Sequence, residues 1–412
     1  MNMSCHSNRN KLVILNAYPM GRVLFESLGL DHFRKAGFDV ICVDMARCFL
    51  SDIHERYQPA NKDYVVREGY FIECSTKDDV EHVIKENAEK AIFYPLYFKF
   101  NQGLDKMWVA RLLKKHGCEY VLQDFFPQPS GPVYDMPTIS YFLKRVIDGI
   151  KSAGPIGLFK KIAGQASFYM MRRNVFYQRP TRCFVAGRRS YDKFKAMYPS
   201  ADVVSVPGYD FYKWNEMLVR VAKEGRNSDI PEPGYVLYID QAIYDAPDIR
   251  ISGRKLVDKG VFFAKINSFF DRIEKALNKK VVIAASPKYA YSGDEFCGRT
   301  IVAGKTPEAV HFSDIVVMHT TTAVNYAIID KKPLVFLMFD EFDSQVRQEL
   351  ATLASSIKRN LMHVDACFDK EDLVSAIKID ESAYESFICD YLATSLCSRA
   401  PAALMAENLT NV

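Results

Sequence analysis

The strongest constraint on the fold of this chain is a repeated order of short apolar runs and helical segments. The order is clearest between residues 280 and 337, where three apolar runs begin at Val281, Asp314 and Leu334. Helical segments separate the second run from its neighbours: one begins at Thr306-Pro307-Glu308, and a short one covers Ala323 to Ile329. Parallel α/β sheets are connected in this way. The stretch therefore predicts a buried parallel sheet.

The start of the first of these helices carries three separate signals. Thr306 offers a capping hydroxyl, Pro307 stands where no N–H is needed, and Glu308 faces the positive end of the helix. We therefore expect a helix to begin at Thr306.

A turn of three threonines follows the second apolar run. His319-Thr320-Thr321-Thr322 lies between the carboxyl end of a predicted strand and the amino end of a predicted helix. Free amides and hydroxyls in such a place bind phosphate, and open α/β sheets bind ligands at this edge. The alternative is that Thr321 or Thr322 only caps the helix. The sequence leaves both interpretations open.

Length and composition favour a protein of two globular domains. The chain has 412 residues, 49% hydrophobic and 25% charged. Its net charge of +4 is too small to indicate a nucleic-acid partner. The ten cysteines form no CxxC pair, so they suggest neither a zinc site nor a redox motif. No apolar stretch approaches the ~20 residues of a membrane span, and we expect a cytoplasmic chain.

A polar linker at residues 223–234, rich in glycine, proline and charge, marks the predicted boundary between the domains. The predicted N-terminal domain covers residues 1–222 and opens with a Rossmann-like βαβ unit. Its first loop, residues 17–21, has one glycine and no GxGxxG, which argues against a dinucleotide site. The predicted C-terminal domain covers residues 234–380. A last helical segment in residues 381–412 has no strand after it and is free to cross back.

Two acids are candidates for a general base. Asp124 ends an apolar strand before a turn-rich segment, where a carboxylate can take a proton from an acceptor hydroxyl. The alternative is a turn aspartate that bonds its own backbone. Asp44, after the second strand, is the second candidate for the same role.

Residues 141–182 form a strongly basic segment, with nine basic residues against one acid and with aromatic and aliphatic residues between them. This pattern suits contact with an anionic membrane surface or a lipid-linked acceptor. A solvated helix face that covers a core would give a similar pattern.

Several short motifs of the second half together resemble a known family. They are Tyr238-Ile239-Asp240-Gln241, Ser286-Pro287-Lys288, the helix from Thr306, and the threonine turn with Lys332-Pro333 beyond it. The chain resembles GT-B glycosyltransferases, and these motifs are similar to those of bacterial capsule and lipopolysaccharide transferases that use CMP-linked sugars. The resemblance covers about a third of the chain. It implies two Rossmann-like α/β domains that face each other across a cleft, with the C-terminal helix crossing back.

The resemblance also implies roles for individual residues. Thr320, Thr321 and Thr322 would hold the donor phosphate; Asp240, Gln241, Ser286, Pro287 and Lys288 would lie beside the nucleotide; Asp124 would be the base. The family usually has a histidine before the proline where this chain has Ser286, and His319 or Lys288 would substitute. His319 could equally be a hydrogen-bonded structural histidine. Arg299 is a candidate phosphate or carboxylate partner, since guanidinium groups bind such anions bidentately.

The function expected from this resemblance is transfer of a sugar from a nucleotide donor, without a metal or a resident cofactor. The expected donor is CMP-linked Kdo or a sialic-acid-like sugar. The expected acceptor is a bacterial surface glycan, free or lipid-linked, of lipopolysaccharide O-antigen or capsule. The alternatives are a UDP-sugar-dependent GT-B transferase, a CDP-polyol phosphotransferase of teichoic-acid type and a nucleotide-sugar epimerase. A peripheral location at the inner face of the cytoplasmic membrane would fit the segment 141–182.

Overall fold

Two parallel sheets form the framework of the molecule. The computed structural model describes residues 9–67, 71–96, 107–129, 179–252, 254–395 and 397–410. Their strands are β1 (Lys11–Asn16), β2 (Asp39–Asp44), β3 (Phe71–Glu73), β4 (Ala91–Pro95), β5 (Glu119–Asp124), β6 (Arg182–Val185), β7 (Asp202–Ser205), β8 (Tyr235–Ile239), β9 (Val281–Ala284), β10 (Ile301–Val302), β11 (Ser313–Met318), β12 (Leu334–Met338) and β13 (Leu361–His363). The first sheet has the order β3-β2-β1-β4-β5-β6-β7, and the second has the order β10-β9-β8-β11-β12-β13.

Helices connect most of these strands. In chain order the helices are α1 (Arg22–Leu28), α2 (Leu30–Lys35), α3 (Ala46–Phe49), α4 (Ile53–Arg56), α5 (Lys77–Asn87), α6 (Met107–Lys115), α7 (Gly187–Met197), α8 (Tyr209–Glu224), α9 (Pro247–Ile251), α10 (Lys259–Leu277), α11 (Thr306–Phe312), α12 (Val324–Ile329), α13 (Ser344–Ser356), α14 (Lys370–Ala376), α15 (Glu381–Phe387) and α16 (Pro401–Thr410). A 3-10 turn covers Lys62–Tyr64, and a π-helical turn, Ile388–Leu392, continues α15.

The central strands are apolar on both faces because helices cover both faces of each sheet. All five residues of β8 and all four of β9 are buried. The parallel sheet predicted around residues 280–337 is confirmed, since β8, β9, β11 and β12 pair in parallel.

The start of α11 differs from the prediction in one detail. Lys305 is the N-cap and makes no side-chain cap, while Thr306 and Pro307 occupy the first turn. The proline fits this place because its missing N–H would have no partner there. Glu308 is buried, and it accepts from the Asn227 amide at 2.7 Å and pairs with Arg220. The carboxylate therefore ties the linker and α8 to α11.

Helix α8 joins the two halves of the molecule. Tyr209, its first residue, packs into a core cluster of the first sheet, whereas Phe211, Trp214 and Met217 pack into the core of the second sheet. One helix thus shares its apolar side chains between both cores.

The end of the chain crosses back to the first sheet. The sequence favours one helical segment from Glu381 to Cys397, but α15 ends in the π-helical turn, and α16 begins again at Pro401. Ala402, Met405 and Ala406 of α16 are buried in a core cluster of the first sheet. The predicted crossing of the C-terminal helix is therefore confirmed.

Among the described helices, none combines the length and apolarity that a membrane crossing needs. Most of the basic segment 141–182 lies outside the described residues, so its membrane contact stays a prediction.

Candidate functional site

The second sheet reverses its strand order between β8 and β11, and we call the carboxyl edge at this point the crevice. The chain runs from β8 to β9 and β10 on one side of the sheet and then returns to β11 on the other side. Met318 pairs with Ile239, so the residues that follow them, His319 and Asp240, leave the sheet at the same level. Open α/β sheets bind their ligands at such a reversal of strand order.

The threonine turn forms one wall of this crevice. Thr320 and Thr321 are half-buried, and Thr322 is exposed. The Thr321 hydroxyl accepts from the Ala323 amide at 3.2 Å, which fits the capping alternative in part. Within the described part of the chain, the amides of Thr320, Thr321 and Thr322 meet no hydrogen-bond acceptor. Three successive unpaired amides can bind an anion.

The loop after β8 forms the opposite wall. Asp240 is buried and accepts from the hydroxyls of Tyr291, at 2.6 Å, and Tyr244, at 2.7 Å. Burial raises the pKa of this carboxyl. The Asp240 carboxylate therefore holds the loop after β8 in place through these hydrogen bonds and does not face a ligand.

Gln241 and Ala242 continue this loop in an unusual geometry. Ala242 is fully buried with a φ of 51°, a conformation that favours glycine. The Gln241 Oε1 is buried, and no donor among the described residues reaches it. Backbone strain and an unpaired buried oxygen cluster at functional sites. Gln241 is thus a predicted nucleotide residue whose side-chain oxygen is buried with no donor among the described residues.

The segment after β9 lies beside this loop. The Ser286 amide donates to the Tyr291 hydroxyl at 2.8 Å, which joins Ser286 to the Asp240 network. Lys288 pairs with Asp248, and although burial disfavours its ammonium, this carboxylate raises the pKa of Lys288. Pro287 is exposed. These three residues follow β9, the strand next to β8, and their place beside a nucleotide stays a prediction.

His319 lies in the core. It is fully buried; its Nδ1 lies 2.9 Å from the Leu337 carbonyl and its Nε2 lies 2.9 Å from the Tyr238 hydroxyl. Burial lowers the pKa of His319 to about 4. Both ring nitrogens have partners, so this geometry fits the structural alternative and offers no nitrogen to a substrate.

Arg299 has acidic partners of its own. Its guanidinium donates to Glu274 at 2.7 Å and to Asp271 at 2.6 Å, and these carboxylates raise its pKa against the effect of burial. An arginine held by two carboxylates is not available to a phosphate in this geometry. We therefore leave Arg299 out of the candidate site.

The two candidate bases end different strands of the first sheet, with β1 and β4 between them. Asp124, at the end of β5, accepts from the Ser190 hydroxyl at 2.8 Å. Asp44, at the end of β2, accepts from the Ala46 amide at 2.8 Å and lies 3.4 Å from His54 Nε2. Burial raises the pKa of Asp44, so this carboxylate is more basic than that of a surface aspartate.

The loop after β5 reaches the threonine turn across the cleft. Gln128 Nε2 donates to Asn325 Oδ1 at 3.2 Å, and Asn325 lies three residues after Thr322 in sequence. On the other side of Asn325, its Nδ2 donates to the buried Asp210 at 2.7 Å, and the Tyr326 hydroxyl donates to Asp210 at 2.9 Å. These contacts bring the loop of Asp124 and the loop of the threonines to one place.

The sequence analysis missed Asp210, Asn325, Tyr326 and Gln128. The motif Pro207-Gly208 before Asp210 indicates a turn, and no local pattern shows that the helix after it would bury a carboxylate against a distant segment. Such contacts depend on how the two sheets are placed relative to each other.

Comparison with known proteins gives the fold. No protein-family model matches the chain, and no curated protein matches it. Two solved structures of the wall teichoic acid polymerase TagF are similar to it, with TM-scores of 0.51 and identities of 12% and 13%; they cover 98% of this chain and 89% and 88% of theirs. The second is a variant soaked with CDPG. The UDP-GlcNAc 2-epimerase from Methanocaldococcus jannaschii aligns over 98% of this chain and 100% of its own, with 10% identity and a TM-score of 0.49.

At these identities the similarity shows the fold alone. Together with the seven-stranded and six-stranded parallel sheets, it confirms the GT-B fold, with two Rossmann-like domains that face each other across a cleft.

Proposed function

We propose that this protein is a glycosyltransferase that binds a nucleotide-linked donor in the crevice between β8 and β11. One observation carries the proposal: the Gln128–Asn325 contact joins the loop of Asp124 to the segment of the threonine turn. This contact supports a cleft in which a candidate base and a candidate phosphate site face the same substrates. Transfer to an acceptor hydroxyl needs both groups close to the reacting carbon.

The unpaired amides of the threonine turn would stabilise the leaving phosphate. As negative charge develops on the leaving phosphate, its hydrogen bonds to these fixed N–H groups become stronger, and the groups do not have to reorient. The half-buried Gln241 would lie beside the nucleotide on the other wall. Asp124 or Asp44 would take the proton of the acceptor hydroxyl.

The proposed donor is CMP-linked, with Kdo or a sialic-acid-like sugar as first choice, and the proposed acceptor is a bacterial lipopolysaccharide or capsule glycan. This choice is supported by the order of the motifs from Tyr238 to Pro333. We propose no metal or resident cofactor for the reaction.

A second candidate function is transfer of a polyol phosphate from a CDP-linked donor. Its support is the match to TagF, a wall teichoic acid polymerase, over 98% of this chain. The same crevice would hold the cytidine diphosphate, and the acceptor hydroxyl would attack phosphorus instead of carbon.

A thermal-shift series with CMP, CDP, UDP and GDP tests the donor site. A nucleotide that binds the folded state raises the midpoint of unfolding. We expect a shift with a cytidine nucleotide. We expect Thr322→Asp to lower the affinity for that nucleotide by roughly ten-fold or more, because a carboxylate repels the phosphate.

Thr300→Asp is the matched control, since Thr300 is an exposed threonine of the same domain that lies outside the crevice. No response to any nucleotide, or an unchanged affinity in Thr322→Asp, would overturn the proposed site.

Product masses from CMP-sugar and CDP-glycerol reactions separate the two functions. Loss of turnover in Asp124→Asn or in Asp44→Asn, with nucleotide binding retained, identifies the base.

A further inference from the structure

The N-terminal domain contains a cavity that the proposed donor site does not use. It has a volume of about 480 Å³ and lies between the loop after β1 and residues 54–67. Its charged lining consists of Arg22, His54, Lys62, Asp63 and Arg67, with prolines, valines, a tyrosine and a glutamine making up the rest. Four basic side chains thus meet one lining carboxylate.

Three of these basic groups form no ion pair with a carboxylate of the described residues. Arg22 Nη2 lies 3.4 Å from the backbone carbonyl of Asp63, and Lys62 Nζ donates to the neutral Gln58 amide oxygen at 3.2 Å. Among the described residues, no carboxylate forms an ion pair with Arg22, Lys62 or Arg67. Cations that outnumber the carboxylates around a cavity favour an anionic ligand.

The fourth basic group, His54, has a partner outside the cavity lining. Its Nε2 lies 3.4 Å from Asp44 Oδ2, and both side chains are mostly buried, with 13% of each exposed. This pair holds the ring at the cavity wall, on the short helix α4. Arg67 lies close enough for its charge to lower the pKa of Asp44, against the larger effect of burial. Asp44 therefore offsets part of the positive charge on this side of the cavity, next to His54 and Arg67.

Backbone hydrogen bonds between the two lining segments give the cavity a fixed shape. Gly21 and Val65 form a bridge between the two lining segments, and the Val66 amide donates to the Met20 carbonyl at 2.9 Å. A Cβ atom on Gly21 would lie 2.6 Å from the Tyr64 hydroxyl. The backbone of the β1 loop is thus packed directly on the ring of Tyr64, and the cavity walls are held at both ends.

The rim of this cavity contacts the donor domain. Asn61 donates through Nδ2 to the Pro287 carbonyl at 2.9 Å and through its amide to the Lys288 carbonyl at 3.1 Å. Lys288 Nζ lies 5.9 Å from the centre of the Tyr64 ring. Helix α4, which carries His54, packs against α9 of the second domain. The cavity therefore opens beside the segment that we place next to the nucleotide.

We propose that this cavity binds an anionic group of the acceptor, a phosphate or a sugar carboxylate. The inference rests on the proposed function, because it assigns the cavity to the second substrate of the same reaction. Arg22, Lys62 and Arg67 would bind the anion, and His54 would face it from α4. The acceptor is accordingly a charged glycan or a phosphate-linked chain, and a neutral sugar would bind poorly.

Isothermal titration with three probes tests this site in the full chain: glycerol 3-phosphate, N-acetylneuraminic acid and neutral glycerol. We expect one or both of the anions to bind and glycerol not to bind. The anion that binds distinguishes a phosphate source from a carboxylate source. In the double variant Lys62→Gln/Arg67→Gln, we expect the affinity for that anion to fall by roughly ten-fold or more, since two charged donors are lost.

Lys85→Gln/Lys90→Gln is the matched control. It removes the same charge from exposed lysines at and after the end of α5, which do not line the cavity. We expect its affinity for the anion to stay within about two-fold of the wild type, because only a weak long-range charge is lost.

The nucleotide response separates this inference from the proposed function. If the cytidine nucleotide still stabilises the Lys62→Gln/Arg67→Gln variant while the anion no longer binds, the two sites are separate and the inference stands. If neither anion binds the wild type, or if both double variants bind it equally, the cavity assignment is wrong, whatever the nucleotides do. A missing nucleotide response with normal anion binding would contradict the donor site alone.

Discussion

Asp210 is a buried carboxylate at the start of α8, and both of its partners come from α12. Only 6% of the residue is exposed, and it accepts from Asn325 and Tyr326. Burial raises the pKa of Asp210 to about 6, against an ordinary value of 3.8, although the two hydrogen bonds oppose the change. The residue therefore connects the boundary helix to the segment that follows the threonine turn.

This pKa predicts a pH dependence of stability. Between about pH 6 and pH 3.8 the folded state binds more protons at Asp210 than the unfolded state does, so the unfolding free energy rises as pH falls through 6. From pH 7 to pH 5 the contribution is about 1 kcal/mol. Urea unfolding of the wild type and of Asp210→Asn at both pH values measures it.

The other titrating groups are common to both proteins and cancel in this comparison. We expect the stability of the wild type relative to Asp210→Asn to increase by that amount at pH 5. An equal difference at both pH values would show that Asp210 does not titrate in this range.

At the same scale, the sequence predicted the position of the crevice residues better than their roles. Gln241, Ser286 and the threonines follow strands of one parallel sheet, so their common edge follows from the strand order. His319 precedes the threonines directly and Arg299 lies in the same domain, yet the side chain of His319 binds core partners and that of Arg299 binds two carboxylates. Side-chain direction depends on tertiary packing, which a single sequence does not display.

Helix α7 begins against the π-helical turn, and a glycine makes this contact possible. Gly187 has a φ of 70°, and a Cβ atom there would lie 2.4 Å from the Asp390 carbonyl oxygen. The next two residues, Arg188 and Arg189, pair with the Asp390 carboxylate at 2.6 and 3.0 Å. The π-helical turn, from which the chain crosses back to the first sheet, is thus held by backbone contact and by ion pairs.

Replacement of this glycine should destabilise the protein strongly. In Gly187→Ala the positive φ costs about 1–2 kcal/mol and the displaced backbone costs about 1–3 kcal/mol more. Gly117→Ala is the control, because Gly117 has a φ of 63° with nothing within 4 Å of a new Cβ. We expect the control to lose only about 1–2 kcal/mol in urea unfolding. Equal losses of unfolding free energy in the two variants would mean that the π-helical turn shifts to accommodate the new methyl group.

The regular elements were predictable because each carries its own periodicity. The strands at Lys11 and Tyr235 and the helix α10 follow from local runs of apolar residues. Helix α8 was not predicted, because its apolar residues divide between two cores and the motif before it indicates only a turn. The break after Leu392 was missed for a similar reason: the pattern of a helix continues, and only packing against α7 ends it.

At the scale of the whole molecule, the last helix belongs in space to the first domain. Met405 of α16 is fully buried in a core cluster of the first sheet, and α16 contacts α2. Stability of the first domain therefore depends on residues at the far end of the chain.

Met405→Ala should lower the unfolding free energy by about 2–5 kcal/mol, because it leaves a cavity in this core. Hydrogen exchange locates the effect: we expect amides of α2 to lose protection and amides of β8 to keep theirs. Glu407→Ala, on the same helix but exposed, should change stability by less than about 0.5 kcal/mol. Faster exchange in β8 and not in α2 would contradict the assignment of α16 to the first domain.

The contact between Gly208 and Leu392 has a mechanical consequence. The Gly208 amide donates to the Leu392 carbonyl at 2.6 Å, and the Ser205 hydroxyl lies 2.8 Å from the Thr394 hydroxyl, so the two polypeptide segments that link the lobes are bonded to each other at two places. Because the two links are bonded to each other, neither can change its course without the other. Any movement that separated Asn61 from Pro287 beside the basic cavity would therefore have to bend both links together.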